Sequence, residues 1–367
     1  MQLSSTLSWL LDAAAETAGA DRLLAELGAH LLADGLPLAG GALTLEVPHP
    51  LIARRVWLWR AATGEVIEAL GFAPGGGAVA PEPSPANKAG RRWLTALAAG
   101  RVHEDAIGTT PNGHLLSWIG PRPFTPGETD ALREAARFAA APLAVLAARA
   151  TLTAALEAYL GRRSAARVLA APLRRDLGET IQAALLYADL RDFTALSESN
   201  PPAMVIAALD AWFDRIAGAV HAFGGEVLKF IGDGVLAIFP VVGGAPSGAC
   251  DAVLRAVSAA QAGMAHLNKE RSRQGLPALS FGAALHLGEM LWGNIGAADR
   301  LDFTAIGPAV NLVSRLEGLC RPLGKAVLVS GALAAETQTP LVALGTHRLR
   351  GIAAPCAVFT LPESSSE

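Results

Sequence analysis

The stretch VLKFIGDGVLAIF, residues 227–239, constrains the fold most, because two runs rich in β-branched and aromatic side chains flank Gly-Asp-Gly. That pattern folds as a tight β-hairpin. With two-residue alternation Lys229 shares a face with Val227 and Ile231, while Asp233 falls at the turn, where glycines admit other backbone or a ligand. Taken alone the aspartate reads as a surface turn residue. The lysine is less ordinary. Among 30 Lys and Arg the chain has four lysines, Lys88, Lys229, Lys269 and Lys325, and one placed among apolar neighbours points to a ligand contact.

A chain of 367 residues is long enough for two domains, each with its own core. A net charge of −3 and dispersed arginines leave no basic stripe, so nucleic acid is not an expected partner. The first residues, MQLSSTLSWLLDAAAET, lack a basic region and meet Asp12 early, which predicts a first helix rather than a signal peptide. The longest unbroken apolar run, residues 138–148 between Arg137 and Arg149, is well short of the roughly 20 residues a bilayer span needs. No membrane span and a cytoplasmic location are the expectation. Cys250, Cys320 and Cys356 are odd in number and lack metal-ligand spacing, as buried thiols of a cytosolic chain would.

Residues 1 to about 35 read as helices, and GGALTLEV and RRVWLWRAATGEVIEAL as strands turning near Gly64. The Gly- and Pro-rich residues 73–90 read as a mobile loop, and HLLSWIG as a further strand. Thr125, Pro126 and Glu128 form a capping box with proline at the first helical position, and Pro142 interrupts the helix that follows. This order of elements, with PFTPGETDALREAARFAA as the closing helix, resembles a GAF-like sensor domain over residues 1–150. The resemblance implies a small-molecule ligand as partner of this domain. A thioether-linked bilin is excluded, since no cysteine precedes Cys250. Trp9, Trp57, Trp59, Trp93 and Trp118 are read as core packing. Residues 151–180 form a helical linker, with Leu152, Leu156, Tyr159 and Leu160 on one stripe before Gly161, either a paired signalling helix or a simple interdomain one.

From Gln182 the pattern is strand QAALLYADL, helix, hairpin, helix, strand LSFGAALHLG, hairpin strands EMLWGNIG and RLDFTAIG, helix, and strand AVLVS. Apolar Val205, Leu209, Trp212, Ile216 and Val220 mark one helix face. The fold class is therefore α+β, a ferredoxin-like βαββαβ plan in which the first strand neighbours the hairpin. Asp189, ending that strand, then converges with Asp233. Two such carboxylates repel unless a cation sits between them, and hard oxygen ligands favour Mg²⁺ or Mn²⁺ beside substrate phosphates.

ADLRDFTALSE, VLKFIGDGVLAIF and HLGEMLWGNIGAADRLDFTAIGPAVNLVSRLEG occur in the order and spacing of the signature regions of class III nucleotidyl cyclases, a family that residues 181–361 resemble, ahead of a short tail, 362–367. The resemblance implies adenylate cyclase activity at a homodimer interface, turning ATP into 3′,5′-cyclic AMP and pyrophosphate, under control of the first domain. A guanylate cyclase and a degenerate, non-catalytic nucleotide sensor are the alternatives. It also implies that Asp189 and Asp233 hold two Mg²⁺ or Mn²⁺ ions, and that Lys229 and Thr304 read the base, this pair suggesting adenine. Asn311 orients the ribose, Arg315 stabilises phosphate charge, and Arg350 meets the terminal phosphates. Lys229 and Asp233 of one chain act in different sites of the dimer. Two departures stand out. Glu289 replaces a phosphate-contacting arginine, a loss that Arg300 or Arg350 would make good. Asp192 replaces a common glycine.

Overall fold

A computed structural model of the protein describes residues 4–46, 52–72, 85–107, 114–170, 178–297 and 299–362. The chain divides into two compact units, Met1–Leu152 and Thr153–Glu367.

The first unit opens with α1 (Ser5–Asp12), whose start is capped by the Ser4 hydroxyl, and α2 (Ala20–Ala33). Strands β1 (Gly40–Glu46), β2 (Ile52–Arg60) and β3 (Val66–Phe72) follow, then α3 (Pro85–Leu97), β4 (His103–Ile107) and β5 (His114–Ile119). They build one antiparallel sheet in the order β3-β2-β1-β5-β4. Strand alternation sends Leu43, Trp57, Trp59, Leu116 and Trp118 into a core shared with α1, α2 and the closing helix. Ala42, Val56, Leu58 and Ile119 form a second core with Leu94 of α3 on the opposite face. The expected loop over 73–90 is corrected in its last part, for Pro85 opens a helix; its first part lies outside the described residues. The prolines and glycines before Arg91 masked a helix whose apolar contacts, Trp93, Leu94 and Leu97, all come later.

Helix α4 (Pro126–Phe138) begins with the expected capping box, Thr125 and Glu128 bonding reciprocally. It ends at Phe138, and α5 (Ala140–Leu160) resumes two residues later. The Pro142 ring obstructs the carbonyl four residues before it, which is that of Phe138. Together the two helices make a segment of 35 residues that is long and apolar enough to cross a bilayer by length and composition alone. The unbroken run 138–148 understated it, because the lone Arg149 that ends the run is followed by the uncharged residues 150–156.

The second unit continues α5 through Gly161 into α6 (Arg162–Ala170), followed by β6 (Gly178–Leu190), α7 (Phe193–Ser199) and α8 (Pro202–Ala222). Next come β7 (Glu226–Ile231), β8 (Gly234–Pro240), α9 (Pro246–Arg273), β9 (Phe281–Gly296), β10 (Leu301–Ile306) and α10 (Pro308–Glu317). It closes with β11 (Val327–Ser330), α11 (Gly331–Ala334), β12 (Val342–His347) and β13 (Cys356–Thr360). The sheet runs β12-β13-β11-β9-β6-β8-β7, with β10 paired to β9. LSFGAALHLG and EMLWGNIG, read as separate strands, are one continuous β9 that pairs with β6 along its whole length.

In β6 the even positions Ala184, Leu186, Ala188 and Leu190 enter a core with Trp212, Ile216 and Val220 of α8 and with α9. The odd positions Ala183 and Leu185 enter a second core with Val313 and Leu316 of α10, joined at its edge by Tyr187. Asp189 follows Tyr187 on that odd face. Cys250 and Cys320 are buried free thiols, whereas Cys356 is only half-buried.

Candidate functional site

Two side-chain clusters stand out in the second unit. The first is acidic. The register Ala188↔Val235 between β6 and β8 carries Asp189 up to the β7–β8 turn, whose loop residues are Gly232 and Asp233. Gly232 supplies a φ of +65°. Trp212 of α8 donates its indole N–H to the Asp233 carbonyl at 2.9 Å, fixing the turn on the core. Gly234 is needed for closeness, since a Cβ there would lie 2.9 Å from the Tyr187 hydroxyl.

Asp189 Oδ1 is buried without a hydrogen-bond donor. Burial first, and then the Asp233 carboxylate lying against it, pushes the Asp189 carboxyl up to about 7. Glu317, at the end of α10, adds a third negative group: its carboxyl is raised by burial, eased by Arg191 and raised again by Asp233. The same charges and burial lift the Tyr187 phenol to about 12. Such an assembly is costly unless a proton or a cation is shared between the acids. An oxygen-only pair with one orphaned, buried atom suits a hard divalent ion that keeps its other positions for water and phosphate.

The second cluster is built on β7 and β10. A register shift between Val227 and Lys229 bulges β7, and such bulges re-aim side chains. Lys229 Nζ is ion-paired with the Asp302 carboxylate, both side chains being roughly half exposed. Thr304 lies two residues beyond Asp302 on the same face of β10, while Phe303 and Ala305 point into the core. Lys229 on β7 and Thr304 on β10 thus lie on strands that the Lys229–Asp302 ion pair links, and Asp302 is a residue that sequence reasoning passed over. The signal was present in LDFT, where the acid and the threonine alternate onto one face.

Asn311 and Arg315 are exposed one turn apart on α10, with Ala309, Val313 and Leu316 anchoring its other side. Arg350 is exposed in the turn between β12 and β13, at the sheet edge opposite β7. Glu289 is exposed on β9. Asp192 adopts the left-handed conformation, φ 56°, that a glycine takes without strain, and its carboxylate pairs with Arg321 at 3.0 Å. Among the described residues no group of three or more His, Cys, Asp or Glu is arranged to hold a metal; the acidic cluster offers a pair.

The second unit is thus an α+β fold that carries paired acids beside the hairpin turn and a lysine on the hairpin strand. Residues 178–351 match the model of the adenylate and guanylate cyclase catalytic domain. It is 34% identical over 170 residues to adenylate cyclase 1 of Rhizobium meliloti, covering 45% of this chain and 25% of that one. It is 32% identical over 160 residues to the adenylate cyclase of Anabaena cylindrica, covering 42% and 31%. The match thus spans less than a third of the length of these curated relatives. A bacterial light-regulated adenylyl cyclase shares the fold, with a TM-score of 0.52 and 20% identity over 77% of this chain and 90% of that one.

Proposed function

We propose that the protein is an adenylate cyclase, converting ATP to 3′,5′-cyclic AMP and pyrophosphate at a site shared by two copies of the chain. The carrying observation is the convergence of Asp189 and Asp233, with an orphaned, buried carboxylate oxygen between them. Asp189 and Asp233 hold two Mg²⁺ or Mn²⁺ ions, which when bound supply Lewis acidity at the ribose 3′-hydroxyl and the α-phosphate. The 3′-oxygen forms its bond to the α-phosphorus as the bond to the α,β-bridging oxygen breaks, pyrophosphate leaves with that oxygen, and the hydroxyl proton goes to solvent.

Lys229 donates to adenine N1, an acceptor where guanine carries a donor, and Asp302 holds the ammonium in place while Thr304 reads the same edge. Asn311 orients the ribose, Arg315 meets the charge growing on the transferring phosphate, and Arg350 takes the terminal phosphates. Phe230, Ile231, Leu291, Leu301 and Ile306 are exposed apolar residues on the strands that bear these groups, which supports a second copy covering this face. Lys229 of one copy then serves the acids of the other. The first unit, an antiparallel sheet between helices, is read as a GAF-like sensor that controls the catalytic one through a small ligand.

The test is cyclic nucleotide formation by the full chain from ATP and from GTP with Mg²⁺ and with Mn²⁺. Cyclic AMP should dominate. GTP turnover equal to or above that of ATP refutes the adenine assignment, and no turnover of either points to a nucleotide-binding sensor. Lys229→Ala and Asp233→Ala chains should each be inactive and recover activity when mixed, because one composite site is then intact; no recovery refutes the shared site.

A further inference from the structure

Glu226 is a carboxylate with 4% exposure at the first position of β7, three residues before Lys229. A buried charge of this kind has to be matched by donors. They come from α6: Ser164 gives its backbone N–H at 3.1 Å and its hydroxyl at 3.0 Å, with Arg163 Nε at 4.0 Å. Ser164 is the third residue of α6, so its N–H is one that the helix itself leaves unbonded, and an anion there also meets the positive end of the helix dipole. Gly161, just before α6, has φ +81°, and a Cβ on it would stand 2.8 Å from Glu226 Oε1. The approach of α6 to β7 depends on that glycine.

The next turn of α6 grips the other base-reading element. Arg167 lies 4.3 Å from the Trp292 ring centroid and pairs with Glu179 of β6. Trp292, on β9, packs edge-on against Phe303 of β10 at 5.5 Å, and Phe303 separates Asp302 from Thr304. Val168 joins the same core. One nine-residue helix therefore holds the root of the Lys229 strand through Glu226 and the Asp302–Thr304 strand through Trp292.

We infer that α6, fastened by Glu226 and Arg167, is the positioning element that sets Lys229 against Asp302 and Thr304, and so tunes purine recognition without contacting the acidic cluster; this rests on the base-reading roles proposed above. The β7 bulge, between Val227 and Lys229, lies between Glu226 and the lysine, so a small displacement of the strand root is passed on as a change in the aim of Lys229.

The test is steady-state kinetics of the full chain with Mn²⁺, ATP and GTP. Arg167→Ala and Glu226→Ala should each raise KM for ATP about tenfold and lower the ATP-over-GTP ratio of kcat/KM by a similar factor, with kcat and the half-activating Mn²⁺ concentration within about twofold of wild type. Glu226→Gln keeps an oxygen acceptor for Ser164 and should restore the wild-type KM. If Glu226→Ala does not fold, Arg167→Ala decides, since that side chain is 39% exposed. An unchanged KM and ratio in Arg167→Ala, or a loss of kcat and of Mn²⁺ activation as large as the rise in KM, overturns the inference while leaving the cyclase reading intact. A wild-type chain that cyclises neither triphosphate overturns both.

Discussion

Replacing Asp189 by Asn should stabilise the metal-free protein at alkaline pH even though it removes a proposed metal ligand. Asp189 is half-buried, its Oδ1 has no donor, and burial followed by the neighbouring Asp233 raises its carboxyl from 3.8 to about 7. Between those values the folded chain keeps a proton that the unfolded chain has released. Stability therefore declines as the pH rises above 3.8, and the full penalty is in force above 7. At about 1.4 kcal/mol per pH unit the ceiling is roughly 4 kcal/mol. Water reaching the exposed half of the group screens this to about 1–2 kcal/mol. Asparagine has the same shape, cannot ionise and can donate to Asp233. For a unit of this size the gain is a rise in Tm of roughly 2–8 °C. Thermal unfolding with a chelator at about pH 8 should show that rise, and at about pH 4 the two proteins should melt together. Added Mn²⁺ should reverse the order, because only the wild-type native state binds it. A variant that melts lower at alkaline pH, or by the same margin at both, refutes the reasoning.

His286 is buried against the Ser330 hydroxyl at 2.8 Å, and burial lowers it from 6.5 to about 4. Its depressed value gives stability that is whole above 6.5 and lost as the pH falls through 4, roughly 3 kcal/mol in all, so denaturant midpoints should drop across that window and His286→Gln should flatten the drop. Trp212→Phe removes the donor to the Asp233 carbonyl and should cost about 1–3 kcal/mol in chemical denaturation while weakening Mn²⁺ activation, because the turn that carries the proposed metal ligand loses its tether. Gly28→Ala places a Cβ 2.5 Å from the Trp59 ring, and the overpacking, about 1–3 kcal/mol, should outweigh the helix propensity gained, lowering the first thermal transition.

The hairpin was legible in the sequence because its turn chemistry and its alternation agree, and the α8 stripe because Trp212, Ile216 and Val220 recur at helical spacing. Asp189 and Asp233 followed from topology, since a strand end and a turn are fixed points of a sheet. Glu317 was not legible: nothing in its neighbourhood of the chain reveals that α10 ends over Gly282, where a Cβ would lie 2.3 Å from its carboxylate. Glu226 was hidden in the same way, because its matching donors are 62 residues earlier. Helix α3 was missed for the opposite reason, as local proline and glycine signals outweighed an apolar stripe that only the sheet completes.

Under the base-reading role proposed for Lys229, its contact with Asp302 means that a purine does not arrive at a bare ammonium. It meets a lysine already in the company of a tethered acid, so each candidate nucleotide is judged against an internal rival rather than against water. Fragments offering only a hydrogen-bond edge gain little from such a contest, and a nucleoside without its phosphates should be a poor occupant.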